Sequence, residues 1–158
     1  MAALCDALVL VTALWALGRA RSLELTALVW RAGLALVVAA AAVGTARYAA
    51  APALAALHGT LSTVAANVGM PLVAAGLLAR FSPASRAGHR GSFLGRVLAG
   101  VAFTAVALTV GDTGEWHGML RENVFHVLFA ASLVCFGAAY EVARQQPART
   151  GDSGSRAS

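Results

Sequence analysis

The stretch LELTALVWRAGLALVVAAAAVGTA, residues 23–46, decides the architecture. Apart from Glu24 at its start and Arg31 further in, it carries no charge. A helix crossing a bilayer needs about 20 mostly apolar residues, and this run supplies them. Comparable runs lie on either side. One extends from Ala3 to about Gly18, one from Pro52 to Phe81, one from Phe93 or Leu94 to Val110, and one from Glu122 to about Ala143. The sequence therefore predicts an all-α fold, a polytopic transmembrane helix bundle of about five spans over residues 1–144. The polar, small-residue segment 145–158 is expected to be a disordered tail.

Composition supports this reading. Of 158 residues, 59% are hydrophobic and 12% charged, with a mean hydropathy of +0.72. Soluble domains carry about 25% charged residues. The missing charge is unevenly distributed, since apolar runs alternate with short arginine clusters. Every one of the 12 basic residues is arginine, and the apolar content leans on alanine, as GC-rich coding produces. The net charge of +5 belongs to residues flanking spans, with no basic stripe interleaved with aromatics, so nucleic-acid binding is excluded. Cys5 and Cys135 form no CxxC pair and no disulfide framework. Residues 1–18 lack the basic start of a secretory signal, and Asp6 is foreign to one, so they are read as a mature helix.

The charges between spans predict orientation. Arg19 and Arg21 fill the first linker, Arg80, Arg86, Arg90 and Arg96 the third, and Arg144, Arg149 and Arg156 the tail region. The second linker holds only Arg47, and the fourth holds Asp112, Glu115 and His117 before Arg121. Arginine excess in alternate linkers places the N-terminus outside and the C-terminus in the cytoplasm, as expected for a bacterial inner membrane. This requires an odd number of spans. A re-entrant hairpin around Gly69-Met70-Pro71 would give six crossings and break the charge pattern. A kink at those three residues is the expectation consistent with five. Trp116 would sit at the outer interface, with Trp15 and Trp30 toward the other side.

Ionisable groups inside a span cost about 2.5–3.5 kcal/mol each on insertion scales, so each one asks for a reason. These are Asp6, Arg31, His58, Glu122 and His126. Glu24 and Glu141 are set aside as helix-end residues near Arg21 and Arg144. At a rise of about 1.5 Å per residue, Asp6 lies just inside the outer face and His58 roughly 9 Å below it. Glu122 and His126, spaced i, i+4 on one helix face, enter from that same side. These four groups share one layer, while Arg31 stands apart and reads as a snorkelling side chain. A carboxylate with two imidazoles from different helices is a donor set that suits zinc. Bound zinc lowers the pKa of its water to about 7 and makes a hydroxide for ester or amide hydrolysis. His117, in the outer loop, would add a ligand or proton shuttle. Each group also has a plainer reading: Glu122 and Asp6 as partners of helix N-terminal dipoles, and His126 as an interfacial hydrogen-bonded side chain.

Two motifs resemble a known family. Leu57-His58-Gly59-Thr60-Leu61, followed by Met70-Pro71, resembles the histidine-centred helix of the alkaline ceramidases. Arg121-Glu122-Asn123-Val124-Phe125-His126-Val127-Leu128 resembles the late helix of the same superfamily of intramembrane hydrolases (CREST), in which two histidines four apart complete a zinc site. Asp6 is similar to that family's early aspartate. The resemblance covers about a fifth of the chain. It implies His58 and His126 as metal ligands, with Glu122 as a substituted third and Asp6 nearby. The chain departs from the family in having fewer than seven spans, Glu122 in place of a histidine, and Leu54 in place of a serine four residues before His58.

Two functions follow as expectations. One is a small integral membrane protein without enzymatic activity, acting through helix packing, as a homo-oligomer or with a membrane-protein partner, in contact with membrane lipid. The other is a zinc-dependent hydrolase of a lipid amide or ester. A proton- or metal-conducting path is weaker, because nothing continues the polar layer to the other side. The discriminating feature is whether His58 and His126 converge.

Overall fold

The computed structural model describes residues 2–80, 90–110, 115–116 and 119–144. The segment containing Arg86 and His89, the loop residues Asp112 and His117, the Trp116 side chain and the 145–158 tail lie outside the described residues, as does the side chain of Glu122. The helices are α1 (Ala2–Leu17), α2 (Leu25–Ala49), α3 (Ala55–Val64), α4 (Met70–Arg80), α5 (Arg90–Val110) and α6 (Arg121–Arg144). A single 3-10 turn at Pro52–Leu54 opens α3. Two-residue strands, Glu115–Trp116 and Met119–Leu120, pair antiparallel just before α6.

Helices α3 and α4 belong to one continuous rod, Pro52–Arg80, long and apolar enough for a single crossing, with no re-entrant hairpin around Gly69-Met70-Pro71. Its irregularity is a π turn at Ala65–Gly69, in which the Met70 N–H donates to the Ala65 carbonyl. Pro71 explains the position: having no N–H, it cannot close the usual bond onto the preceding turn, and the ladder widens before it. The rod, α2, α5 and α6 are each long and apolar enough to cross a membrane. Helix α1, with 16 residues, is shorter, about 24 Å long at the standard rise. The chain is thus an all-α membrane helix bundle of five rods.

Helix α1 packs between α2 and α6, α2 against the rod, and α5 against α6, with a lighter contact between α4 and α6. Successive rods run in opposite directions. One end of the bundle therefore gathers the starts of α1, α3 and α6 with the end of α2, and the other gathers the ends of α1, α4 and α6. Small residues let backbones approach, as membrane bundles require in the absence of a hydrophobic drive between helices. A Cβ on Gly33 of α2 would lie 2.5 Å from the Gly69 carbonyl oxygen, so the π turn rests directly on α2.

The core nearest the α6 C-terminus is built on Trp30. It is fully buried, stacks on Tyr140 of α6 at 4.7 Å between ring centres, and donates its indole N–H to the Ala16 carbonyl at 3.4 Å. One residue of α2 thereby ties α1 to α6. Trp30→Ala should destabilise the bundle by about 3 kcal/mol, because the void loses contacts on all sides. Thermal unfolding in detergent measures this, and Trp30→Phe, which keeps the stacking and loses only the N–H bond, should cost less.

Ion pairs close this end. Glu24 pairs with Arg80, fifty-six residues away, rather than with neighbouring Arg21. Glu141 accepts from Arg144 at 2.6 Å and lies 3.7 Å from Arg19. Arg31 is exposed on α2, as a snorkelling side chain would be.

Candidate intramembrane polar site

At the opposite end, Asp6, His58 and His126 come together, each on a different rod. Asp6 is 2% exposed and His58 8%. Nε2 of His126 lies 3.1 Å from Oδ1 of Asp6, so one proton is shared along that line whichever partner carries it. The second carboxylate oxygen, Oδ2, is buried and accepts no hydrogen bond from the described residues. A buried carboxylate oxygen without a donor costs about 1–3 kcal/mol, more when charged, so its position calls for a ligand or a compensating charge.

A charged side chain of α2 reaches the cluster at His58. NH1 of Arg47 lies 2.9 Å from Nδ1 of His58. Guanidinium nitrogens only donate, so Nδ1 must accept, and a neutral imidazole then carries its proton on Nε2. The Arg47 guanidinium is also 4.5 Å over the Tyr48 ring, whose edge meets His58. Arg47 thus reaches the carboxylate region through the imidazole of His58.

Gly44 makes the assembly sterically feasible. A Cβ built there would stand 2.6 Å from Nε2 of His58 and 2.7 Å from Oδ2 of Asp6. Both polar atoms crowd the space that any other residue would fill. Helix α2 contributes to the site by what it lacks at Gly44 and by what it extends at Arg47.

The cluster lies at one end of a cavity of about 230 Å³. The walls are mostly apolar, with Val37 and Ala41 from α2, Met70 from α4, Leu108 from α5, and Phe125 and Phe129 from α6. Phe125 and Phe129 stack with nearly parallel rings, forming a flat panel. Ser62 and Thr104 also line it. An apolar chamber with a few polar groups is the usual form of a small-ligand site, and this one lies just below the roughly 300–1,000 Å³ range of such sites.

Three of the four expected site residues therefore converge, and Glu122 opens α6 one turn before His126 with its side chain outside the described residues. As placed, the described side chains do not make a zinc site. Among them, no group of three or more His, Cys, Asp or Glu is arranged to hold a metal ion. Moreover, metal-bound histidines usually donate their second ring N–H to an acceptor, leaving the first nitrogen's lone pair for the metal. Arg47 reverses that polarity at His58.

Sequence reasoning missed Arg47 and Gly44. Arg47 looked like a linker charge, yet long side chains on a helix lean toward its N-terminus, which from the end of α2 means back into the bundle. That lean was the available signal. Gly44 gave none beyond being a glycine in an alanine run. No family model, curated protein or solved structure matches this chain.

Proposed function

We propose that this is a non-enzymatic integral membrane protein of a bacterial inner membrane, N-terminus outside and C-terminus cytoplasmic, that binds an amphiphilic molecule in its bundle. The polar end of the ligand meets Asp6, His58 and His126, and its alkyl part fills the chamber walled by Phe125 and Phe129. The observation that carries this reading is the unsatisfied Oδ2 of Asp6 at the end of an apolar cavity. The polar groups of the cluster supply both charge and hydrogen-bonding capacity at one place on an otherwise apolar wall. A ligand hydroxyl or ammonium could in turn donate to Oδ2. The arginine bias of alternate linkers supports the orientation.

The convergence of Asp6, His58 and His126 also favours the second reading, a zinc-dependent hydrolase of a lipid amide or ester. That reading needs the His58 ring turned so that Arg47 no longer donates to it, and a ligand from Glu122. One purification separates the two. Detergent-extracted protein is assayed for metal by plasma mass spectrometry and for bound lipids or other amphiphiles by organic extraction and mass spectrometry. Binding without chemistry predicts zinc well below one per chain and a co-purifying amphiphile that Asp6→Asn releases. Zinc near one per chain, lost in His58→Ala and His126→Ala, would overturn it in favour of the hydrolase.

A further inference from the structure

The other end of the bundle carries a second, chemically different recess. It lies between the parallel helices α1 and α6, has a volume of about 360 Å³, and is lined by Trp15, Arg19, Arg21, Glu141 and Arg144, with Leu14 on its apolar side. Three guanidinium groups face one carboxylate. Glu141 accepts from Arg144 through both oxygens, at 2.6 and 3.2 Å, and stands 3.7 Å from Arg19, beyond hydrogen-bond range. The recess therefore keeps an excess of positive charge.

Arginines at helix C-termini do offset the helix dipole, and that accounts for part of their presence. It does not account for the recess. The Trp15 ring lies across Gly137 of α6, where a Cβ would be 2.4 Å from the ring, and the Arg19 guanidinium sits 4.5 Å from the ring centre. The tryptophan forms a wall that holds Arg19 in place. Leu14 and Trp15 are half-exposed on the surface leading away from the arginines toward the middle of the bundle. A phosphate would meet the guanidiniums while an attached acyl chain ran down Leu14 and Trp15.

We infer that this recess binds the phosphodiester headgroup of an anionic membrane lipid. Planar guanidinium forks match phosphate oxygens bidentately, and basic pockets between spanning helices at the headgroup level are suited to such lipids. The site is independent of the Asp6 cluster and stands whether or not that cluster binds a ligand.

Native mass spectrometry of the full chain in detergent tests this, with added phosphatidylglycerol, phosphatidylcholine or inorganic phosphate. Wild type should retain phosphatidylglycerol about tenfold better than phosphatidylcholine. The doubly substituted Arg19→Gln, Arg21→Gln chain should lose most of that preference, about threefold for each arginine. Arg96→Gln, at the same end of the bundle on α5, should keep it. Thermal unfolding of all three chains confirms that they are folded. Equal retention of the two lipids, or equal loss in Arg96→Gln, would overturn the site. Displacement of the lipid by millimolar inorganic phosphate would show a free-phosphate site and overturn the lipid assignment.

Discussion

Asp6→Leu should lower the stability of the detergent-solubilised bundle by about 3 kcal/mol, and Arg47→Met by a similar amount, yet the double variant should lose much less than their sum. No direct contact is needed for this. Removing the carboxylate takes the partner from His126 and leaves the Arg47 charge beside an apolar chamber, and removing the guanidinium takes the donor from His58 and leaves Asp6 with His126 alone. Removing both leaves neither charge behind and adds apolar side chains to a cavity whose walls are already mostly apolar. A coupling above about 1 kcal/mol in urea or thermal unfolding would show the charges acting through His58. Additive losses would mean that Arg47 is only an interfacial arginine and that the relay does not exist. Asp6→Asn offers a milder probe. Its amide oxygen still accepts from His126, so about 1 kcal/mol should be lost, near the upper range of measured hydrogen bonds between membrane helices.

The fold was largely readable because bilayer thickness imposes a length on every element. Residues 23–46 could only be a buried or spanning helix, and the same criterion located the remaining rods to within a few residues. The layer of Asp6, His58 and His126 was also readable, since alternating helix direction and a fixed rise convert sequence position into depth. Azimuth was not. Whether a residue faces the bundle or the lipid depends on which neighbours each helix meets, and every helix here is apolar all round. For that reason His126 could be placed in the same layer as Asp6 without the 3.1 Å contact being foreseen. The same limit hid Arg80 as the partner of Glu24, because the ends of α4 and the start of α2 meet only once the rods are packed. The π turn lay one step further off. Pro71 announces a disturbed ladder, but whether it resolves as a kink or as a widened turn depends on Gly33 and Gly69 pressing the two helices together.

Gly44→Val should damage the polar site as much as removing one of its charges, although Gly44 contributes no polar side-chain atom. Its Cβ would fall 2.6 Å from His58 Nε2 and 2.7 Å from Asp6 Oδ2, and the added methyls would need still more room. Neither neighbour can yield cheaply. His58 is held by Arg47, Asp6 is fully packed on α1 and bound to His126, and moving either would break those contacts. The expected result is separation of α2 from α1 and α3, a loss of about 3 kcal/mol in stability, and loss of the proposed amphiphile binding. Gly44→Ala should fall between wild type and valine. Gly59 supplies the control on the same layer of the bundle. A Cβ there meets nothing within 4 Å, and an alanine inside α3 should stabilise the helix by about 0.5–1 kcal/mol. If Gly44→Ala and Gly59→Ala were equally benign in unfolding and in ligand retention, the close approach of Asp6 and His58 over α2 would be wrong, and the cluster could not be the binding site. If only Gly44 is sensitive, the pocket owes its shape to an absent side chain, and its specificity can be altered by restoring one methyl group at a time.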